Sequence, residues 1–342
     1  MITIKEIANQ LGVSPTTVSN VINGRTEKMS AKTRERIEEA LIKNHYVQEV
    51  KSVEMEQDLR LIAVDFFLGE KENVIVDSFC GELLGAIEKH LRPYKRHVVY
   101  DSSSKEEELL QKFNARNVEG GILLGYDPSR CESLQKRCRK PIVFIDSGNG
   151  NYDNIGLQDF EGAYEMVSYL IDQGHRKIAF FGDYRKEFGS SYERYLGMKK
   201  AMKDYELEFT AEDCYYLSFQ QNKRYEVMRQ FAKREANEKE KKGYTAIFFV
   251  SDYFASESIG IFYRQGLHIP NDISIVGFDD NIYARLAHPM LTTIRQSPTE
   301  KGKEAVDLLM KRIYGEEVAV RSMELPTELI VRDSVKNLRE QR

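Results

Sequence analysis

Short polar side chains are concentrated near the start of the chain, between residues 14 and 23. If this stretch forms a helix beginning at Pro15, the face opposite Val18 and Val21 carries hydroxyls and amides that both donate and accept hydrogen bonds. Groups of this kind bind base edges and phosphates in a DNA major groove. The candidate DNA-contacting residues are Thr3 and, within this stretch, Ser14, Pro15, Thr16, Thr17, Ser19, Asn20 and Asn23.

Two short helices are predicted to position this polar face. The first carries an apolar stripe at helical spacing, made of Ile4, Ile7, Ala8 and Leu11. Thr3 and Glu6 form a capping box before it, and Gly12 is a natural helix end. Ser14 can cap the second helix, with Pro15 at its first position. The pattern predicts a helix-turn-helix, the alternative being an ordinary helical hairpin in a larger core.

The stretch TIKEIANQLGVSPTTVSNVING, residues 3–24, resembles the start of bacterial repressors of the lactose/galactose-repressor (LacI/GalR) family. The resemblance extends over essentially the whole chain. A third helix is predicted from a cap at Ser30 to about Asn44, with Ile37, Ala40 and Leu41 facing inward. The resemblance implies a helix-turn-helix DNA-binding domain over residues 1–46.

Residues 47–59 form a charged linker without Gly or Pro. In the family this segment is a hinge that folds on operator DNA and inserts apolar side chains from a dimer into the minor groove. Counting from His45 and Tyr46 places Met55 at this wedge position, and Met is a reasonable wedge for opening a base step. The family's usual residues are replaced at four hinge positions, and carboxylates such as Glu49 would repel phosphate. A plain linker is therefore the alternative.

From residue 61 the pattern changes to short apolar runs separated by amphipathic helices. Apolar strands alternating with helices indicate an α/β fold with parallel sheets covered on both faces. The predicted strands are 61–67, 97–100, 121–124, 142–146, 177–182, 215–218, 246–250 and 273–278. The predicted helices are about 76–90, 105–117, 130–139, 160–173, 192–205, 223–240 and 253–265.

The strands and helices form two similar series, one up to residue 146 and one from residue 160 onward, and these predict a body of two similar lobes, residues 60–342. The resemblance implies a periplasmic-binding-protein-like arrangement for this body, with effector-binding and dimerisation roles. We expect a first lobe of about 60–158 and 292–318, and a second lobe of about 159–291 and 319–342.

A ligand of such a body would lie between the lobes, at the carboxyl ends of the strands. RYLGM (194–198), VSDYFA (250–255) and IPNDISIVGFDD (269–280) are similar to family stretches. The resemblance implies effector contacts by Phe79, Arg194, Phe219, Asp252 and Asp279. Carboxylates accept hydrogen bonds from vicinal hydroxyls, Arg donates a pair, and rings cover a sugar's C–H surface. The alternatives are a salt bridge for Arg194, a helix cap for Asp252 and a wall or core role for both rings.

Composition narrows the possible functions. A formal charge of −4 over 342 residues is unlike a generally basic nucleic-acid-binding protein, so the motif carries the DNA-binding prediction. The four cysteines have no metal or redox spacing, and neither a metal nor a cofactor is expected. The N-terminus lacks the apolar run of a secretion signal, and no stretch approaches the ~18 apolar residues of a membrane span. A cytoplasmic protein is expected.

These features favour a sequence-specific transcription regulator, in particular a repressor. We expect it to act as a homodimer on palindromic double-stranded operator DNA and to answer to a small molecule, a sugar or sugar derivative. A purine or a phosphoprotein corepressor is an alternative within the family. A two-lobed solute-binding protein and a nucleotide-cofactor enzyme are alternatives from other classes. No enzyme activity is expected, because residues 148–150 lack the third glycine of a dinucleotide fingerprint.

Overall fold

The computed structural model describes residues 3–22, 25–26, 29–44, 46, 59–67, 77–101, 106–114, 118–183, 188–237, 239, 241–316 and 319–339. The chain divides into two compact units, residues 1–59 and 60–342. Asn23, Met55 and the rest of the predicted hinge up to residue 58 lie outside the described residues.

Three helices form the first unit, which we call the head: α1 (Ile4–Leu11), α2 (Pro15–Ile22) and α3 (Ala31–Lys43). The predicted capping box is present, because the Thr3 hydroxyl accepts from the Glu6 N–H at 3.3 Å and the Glu6 carboxylate accepts from the Thr3 N–H at 2.7 Å. Gly12 ends α1 at a φ of 66°, where a Cβ would be strained. The core of the head consists of Ile7, Ala8, Val18, Val21 and Ile37.

The first lobe of the body begins with alternating strands and helices. These are β1 (Arg60–Phe66), α4 (Ser78–Leu91), β2 (Arg96–Asp101), α5 (Glu106–Phe113), β3 (Val118–Leu124), α6 (Pro128–Arg137), β4 (Ile142–Ile145) and β5 (Asn154–Leu157). The strands are parallel, in the order β5-β4-β3-β1-β2. Nearly all residues of β1, β3 and β4 are buried, as expected for strands covered by helices on both faces.

The second lobe repeats this arrangement. It contains α7 (Asp159–Asp172), β6 (Ile178–Gly182), α8 (Ser190–Asp204), β7 (Cys214–Tyr216), α9 (Gln221–Glu235), β8 (Ala246–Phe249), α10 (Asp252–Arg264), β9 (Ser274–Val276) and α11 (Ile282–Leu286). Its four strands are also parallel, in the order β7-β6-β8-β9. Short 3₁₀ turns at Arg92–Tyr94 and Ala211–Asp213 precede β2 and β7.

The last part of the chain passes between the lobes. It forms β10 (Thr293–Arg295), α12 (Pro298–Ile313), β11 (Ser322–Leu325) and β12 (Glu328–Ile330). Helix α12 packs against α4 in the first lobe, and β10 pairs with β12 in an antiparallel ladder. Strand β11 pairs in parallel with β5, which makes it the sixth strand of the first sheet. The predicted start of the second-lobe segment at residue 319 is therefore wrong, and the chain leaves the first lobe only after Leu325.

Candidate DNA-binding and effector sites

Helix α2 presents the polar face that the sequence predicts. Ser14, Pro15 and Thr16 are exposed, as is Thr3, while Thr17, Ser19 and Asn20 are half-buried. Val18 and Val21 pack into the head core on the opposite face. The Thr16 side chain is therefore directed away from the core. A helix that reads a DNA groove must present its contacts on this outer side.

The start of α2 is capped by its own side chains. The Ser14 hydroxyl oxygen accepts from the Thr17 N–H at 3.1 Å, and the two hydroxyl oxygens lie 2.8 Å apart. This cap stabilises the helix end that approaches base edges in a helix-turn-helix. Thr16 and Asn20 are four residues apart and so share one side of the helix.

In the body, Arg194 on α8 is only 6% exposed and contacts acceptors from three segments. Its Nε donates to Asp159 Oδ1 at 2.8 Å, and its Nη1 donates to the Val250 carbonyl oxygen. The same Nη1 lies 3.6 Å from Asp279 Oδ1. The guanidinium carbon is 3.6 Å from the centre of the Phe278 ring, a stacking distance. The salt-bridge alternative is thus present, although both carboxylates belong to the second lobe.

The contacts continue from Asp279 into the first lobe. Asp279 Oδ1 accepts from Gln296 Nε2 at 2.7 Å, and Gln296 Oε1 accepts from Lys301 Nζ at 3.0 Å. Lys301 Nζ also lies 2.8 Å from both carboxylate oxygens of Asp146, which follows β4. We call this set the interlobe polar chain: Asp146, Lys301, Gln296, Asp279, Arg194 and Asp159. It connects the carboxyl end of the first sheet with that of the second.

The charges of the interlobe polar chain are nearly balanced. Lys301 is fully buried, which a charged group tolerates only when it is paired. Burial raises the pKa of Asp279 to about 7, although Arg194 and the hydrogen bond from Gln296 act in the opposite direction. Burial also raises the pKa of Asp159. The carboxyl of Asp279 therefore titrates closer to neutral pH than an ordinary carboxyl does.

Asp252, a predicted effector contact, has a different role in the structure. Its side chain is fully buried, its Oδ1 accepts from the Thr293 hydroxyl at 2.7 Å and its Oδ2 accepts from the Asn281 N–H at 3.2 Å. A Cβ added at Gly277 would come within 2.2 Å of Asp252 Oδ1, so the carboxylate packs directly against the Gly277 backbone. Asp252 ties the start of α10 to β10, and we correct the expected effector contact to a structural one.

The two predicted ring contacts differ in position. The half-buried Phe79 lies beside the interlobe polar chain, because its ring centre is 5.2 Å from Lys301 Nζ. Phe219 is 38% exposed, and its ring centre is 6.4 Å from that of Phe254 on α10. Of the two rings, only Phe79 is therefore placed beside the interlobe polar chain by the contacts of the described residues.

A cavity of about 460 Å³ lies between the lobes, which is within the usual size range of small-molecule sites. We call it the interlobe cavity. It is lined from the first lobe by residues such as Asp146 and Asn154, and from the second by Asp159, Phe160 and Ser190. Asp146 and Asp159 also belong to the interlobe polar chain. Arg194 and Asp279 do not line the cavity itself, but the hydrogen bond from Arg194 to Asp159 places the guanidinium directly behind its wall.

Sequence reasoning missed Asp146, Asp159, Gln296 and Lys301 as site residues. Helix α12 was also not predicted, although Ser297 followed by Pro298 and Glu300 is a start signal, and the Ser297 hydroxyl does accept from the Glu300 N–H at 3.1 Å. Had the helix been recognised, Lys301 would have stood out as a charge on the buried face that carries Ala305 and Leu308.

The described residues include no group of three or more His, Cys, Asp or Glu side chains that could hold a metal ion. Within the same residues, no helix has both the length and the apolar character needed to cross a membrane.

A three-helix head with an exposed groove-reading face, on the same chain as a two-lobed body with a cavity, defines a ligand-responsive DNA-binding regulator. Residues 3–49 match the family described as bacterial regulatory proteins, lacI family, and residues 167–335 match the periplasmic binding protein-like domain. The chain thus combines a LacI-family helix-turn-helix domain with a periplasmic-binding-protein-like body, and it is a DNA-binding transcriptional regulator with an effector-binding domain.

Full-length relatives support this assignment. An HTH-type transcriptional repressor PurR of Haemophilus influenzae is 29% identical over 349 residues, covering 99% of this chain and 100% of the relative. PurR of Pasteurella multocida is also 29% identical, over 350 residues, covering 98% of this chain and 99% of the relative. These relatives indicate a regulator rather than an enzyme.

Solved structures agree on the fold. A lac repressor dimer bound to operator and the anti-inducer ONPF has a TM-score of 0.69 at 24% identity, covering 98% of this chain and 99% of that one. A complex of the transcriptional regulator CelR with cellobiose has a TM-score of 0.71 at 23% identity, covering 98% of this chain and 100% of that one.

Proposed function

We propose that this protein is a transcriptional repressor whose affinity for operator DNA is set by a sugar or sugar derivative bound between the lobes. The observation that carries the proposal is the interlobe polar chain. It joins the carboxyl ends of both sheets beside the interlobe cavity, so a ligand there would act on both lobes at once.

The head would supply the operator contacts. Thr16 and Asn20 offer a hydroxyl and an amide on the exposed side of α2, and an Asn amide in this position favours adenine. One three-helix head makes few contacts, so two heads on a palindrome would be needed to raise the affinity through effective concentration. Operator DNA lies in the bacterial cytoplasm, where we place the protein, and it acts there by binding rather than by chemical turnover.

The effector would be held by the chemistry around the interlobe cavity. Phe160 and Phe188 offer ring faces for the C–H surface of a sugar, and Ser190 offers a hydroxyl. Arg194 and Asp279 lie just behind the wall formed by Asp159, so a small lobe movement would bring them to the ligand. The cellobiose in the CelR structure supports a carbohydrate as the first class to test.

Effector binding would change the operator affinity by favouring one arrangement of the lobes. A ligand shifts such an equilibrium only by its differential affinity for the two arrangements. The Gln296 side chain is the link most sensitive to this change, because it accepts from Lys301 at 3.0 Å and donates to Asp279 at 2.7 Å. A ligand hydroxyl that replaced either contact would loosen one lobe from the other.

We further propose that the protein is a homodimer with a contact surface on α11 of the second lobe. Ile282 and Leu286 are 45% and 67% exposed, and they are one helical turn apart. Met290 is 42% exposed. Its neighbour Leu291 donates from its N–H to the Ala284 carbonyl oxygen at 3.0 Å, which holds Met290 and Leu291 against α11. These apolar side chains form a patch that a second copy would cover.

A titration of the intact protein with labelled operator fragments tests the proposal. Sequence-specific binding is expected at physiological salt, and at least one sugar from a panel should change the operator Kd by about tenfold or more. Equal affinity for random and selected duplexes would rule out the operator role. Sequence-specific binding that responds to no small molecule would rule out the effector role alone.

A further inference from the structure

The charge of the interlobe cavity sets limits on the ligand it can take. Two of its carboxylates are paired, Asp146 with Lys301 and Asp159 with Arg194. Three more line it, Glu161, Glu193 and Glu324, and none of them has a hydrogen bond or ion pair within the part of the chain that the structure describes. No Lys or Arg of the described residues lines the cavity. Among the lining residues that the structure describes, the negative charge is therefore uncompensated, and it lies on three carboxylates that are exposed to solvent.

A buried amide provides a second and independent sign of a ligand. Asn154 lines the cavity and is 2% exposed. Its Oδ1 accepts from the Ser147 N–H at 3.2 Å, which fixes the orientation of the amide and directs Nδ2 to the other side. Among the described residues Nδ2 has no acceptor, and a Cβ added at Gly156 would lie 3.4 Å from it and 3.6 Å from Glu324 Cγ.

The Asn154 Nδ2 group is open to the cavity, so a ligand oxygen would take the place of water as its acceptor. The Asn154 amide can therefore donate to an acceptor on the ligand, while the three glutamates can bind a cation or accept from hydroxyl groups. The like charges also act on each other: burial raises the pKa of Glu193, and Asp159, Glu324 and Glu161 raise it further. A bound cation would relieve this repulsion, whereas a phosphate would add to it.

From this arrangement we infer that the interlobe cavity binds a hydroxyl-bearing amine of the amino-sugar kind and discriminates against phosphorylated sugars. The ammonium group lies among Glu161, Glu193 and Glu324, and a hydroxyl or ring oxygen accepts from Asn154. Phe160 and Phe188 cover the ring of the ligand. This inference rests on the proposed function, since it names the class of effector that the cavity takes.

The test compares three matched series built on glucose, galactose and mannose. Each series contains the neutral sugar, its 2-amino-2-deoxy derivative and its 6-phosphate, and the Kd of each compound for the full-length protein is measured by titration calorimetry. Operator release is followed in parallel by fluorescence anisotropy. We expect at least one amino sugar to bind about tenfold or more tightly than its neutral counterpart, and no 6-phosphate to bind.

Single substitutions test which carboxylates cause the preference for the amine. Glu193→Gln and Glu324→Gln keep the shape of the lining and remove one charge each, so each should lower the affinity for the amino sugar more than the affinity for the neutral sugar and so reduce the preference for the amine. The matched control is Glu165→Gln, an exposed position on α7 that lies one turn beyond Glu161 and does not line the cavity. The control should leave the preference unchanged.

Three outcomes would overturn the inference. They are a 6-phosphate that binds as tightly as its amino counterpart, amino sugars no tighter than their neutral forms in all three series, and operator release only by ligands that lack an amine. If any compound still releases the operator in these cases, a ligand controls the operator and the proposed function stands without the inference. If no compound changes operator binding, the effector role in the proposed function fails and the inference fails with it.

Discussion

The ammonium nitrogen of Lys301 lies 2.8 Å from both carboxylate oxygens of Asp146, a residue 155 positions earlier in the chain. The pair fastens α12 to the end of β4 inside the first lobe. It also fixes Gln296, because the carbonyl oxygen of that amide faces Lys301 and its NH₂ group must then face Asp279. The orientation of a donor between the lobes thus depends on one buried cation.

Replacing Lys301 by Met should destabilise the body. The substitution keeps the length of the side chain but leaves Asp146 and the Gln296 carbonyl without their donor, and breaking a buried pair in this way costs roughly 3 kcal/mol. Urea unfolding followed by circular dichroism measures the change. Lys303→Met is the control, an exposed position on the same helix that should stay within about 0.5 kcal/mol of the parent. Equal stability of the two variants would contradict the role of the buried pair.

Arg194→Lys should weaken effector binding while sparing operator binding. Lys keeps the charge but cannot donate at fixed geometry to Asp159 and toward Asp279 together. In the proposed complex the lobe movement brings Arg194 to the ligand, and loss of one hydrogen bond from its charged group to the ligand corresponds to at least about a tenfold rise in the effector Kd. The effector is titrated by calorimetry, and the operator Kd should change by less than about threefold. A parallel loss of both affinities would point to misfolding instead.

The stability of the protein should depend on the protonation of Asp279. Its carboxyl has a pKa of about 7 in the folded protein, against an ordinary value of 3.8. Between these pH values the folded state binds more protons than the unfolded state, so this group makes the free energy of unfolding fall as the pH rises.

Asp279→Asn removes that dependence. The Tm of the variant relative to the parent should rise from pH 5 to pH 8, as measured by differential scanning calorimetry. Carboxylates that do not interact with Asp279 titrate alike in both proteins and cancel in the difference, whereas Asp252 loses the repulsion by Asp279 that raises its pKa. A Tm difference that is constant over this range would show that Asp279 titrates normally.

Substitutions on α2 should alter operator recognition. Thr16→Ala and Asn20→Ala remove groups from the exposed side of the helix, and each should cost about 1–3 kcal/mol of discrimination between operator and random DNA. Anisotropy titrations of both duplexes at fixed salt measure this difference. Asn9→Ala, at an exposed position on α1, is the matched control and should retain full discrimination. If all three variants behave alike, α2 is not the reading helix.

Leu286→Glu should convert the dimer into a monomer. The side chain is 67% exposed on α11, so a charge there leaves the fold intact but would be buried without a partner in the contact between copies. Sedimentation should show the monomer mass, and the operator affinity should fall because two heads no longer act together. Val320→Glu, at a 50% exposed apolar position on the first lobe, should remain dimeric. A dimeric Leu286→Glu protein would move the contact elsewhere.

Local signals in the sequence were enough for the head. The Thr3–Glu6 capping box, the turn at Gly12 and the apolar positions of α2 all depend on residues within a few positions of one another. The eight predicted strands of the body also correspond to β1–β4 and β6–β9, because their apolar runs are continuous. Strand β11 was missed because its residues alternate in burial and it forms only by pairing with β5, distant in sequence.

The candidate effector site depended more on long-range contacts. Arg194 and Asp279 are predicted as effector contacts from the resemblance of their stretches to the family, and the structure brings them within 3.6 Å of each other. Asp252 is predicted in the same way, yet it is fully buried and bonded to Thr293, 41 residues away. No local pattern separates these two kinds of aspartate, since the difference lies in which partner the fold supplies.

Periodicity and capping act over a few residues, and they are sufficient to predict the helix-turn-helix, the α/β class of the body and the polar face of α2. The pairing of Lys301 with Asp146, the bridging position of Gln296 and the unpaired glutamates of the interlobe cavity instead depend on how distant segments pack. Charges attract, repel and lose water according to their distances in space, and those distances exist only once the two sheets and α12 have packed.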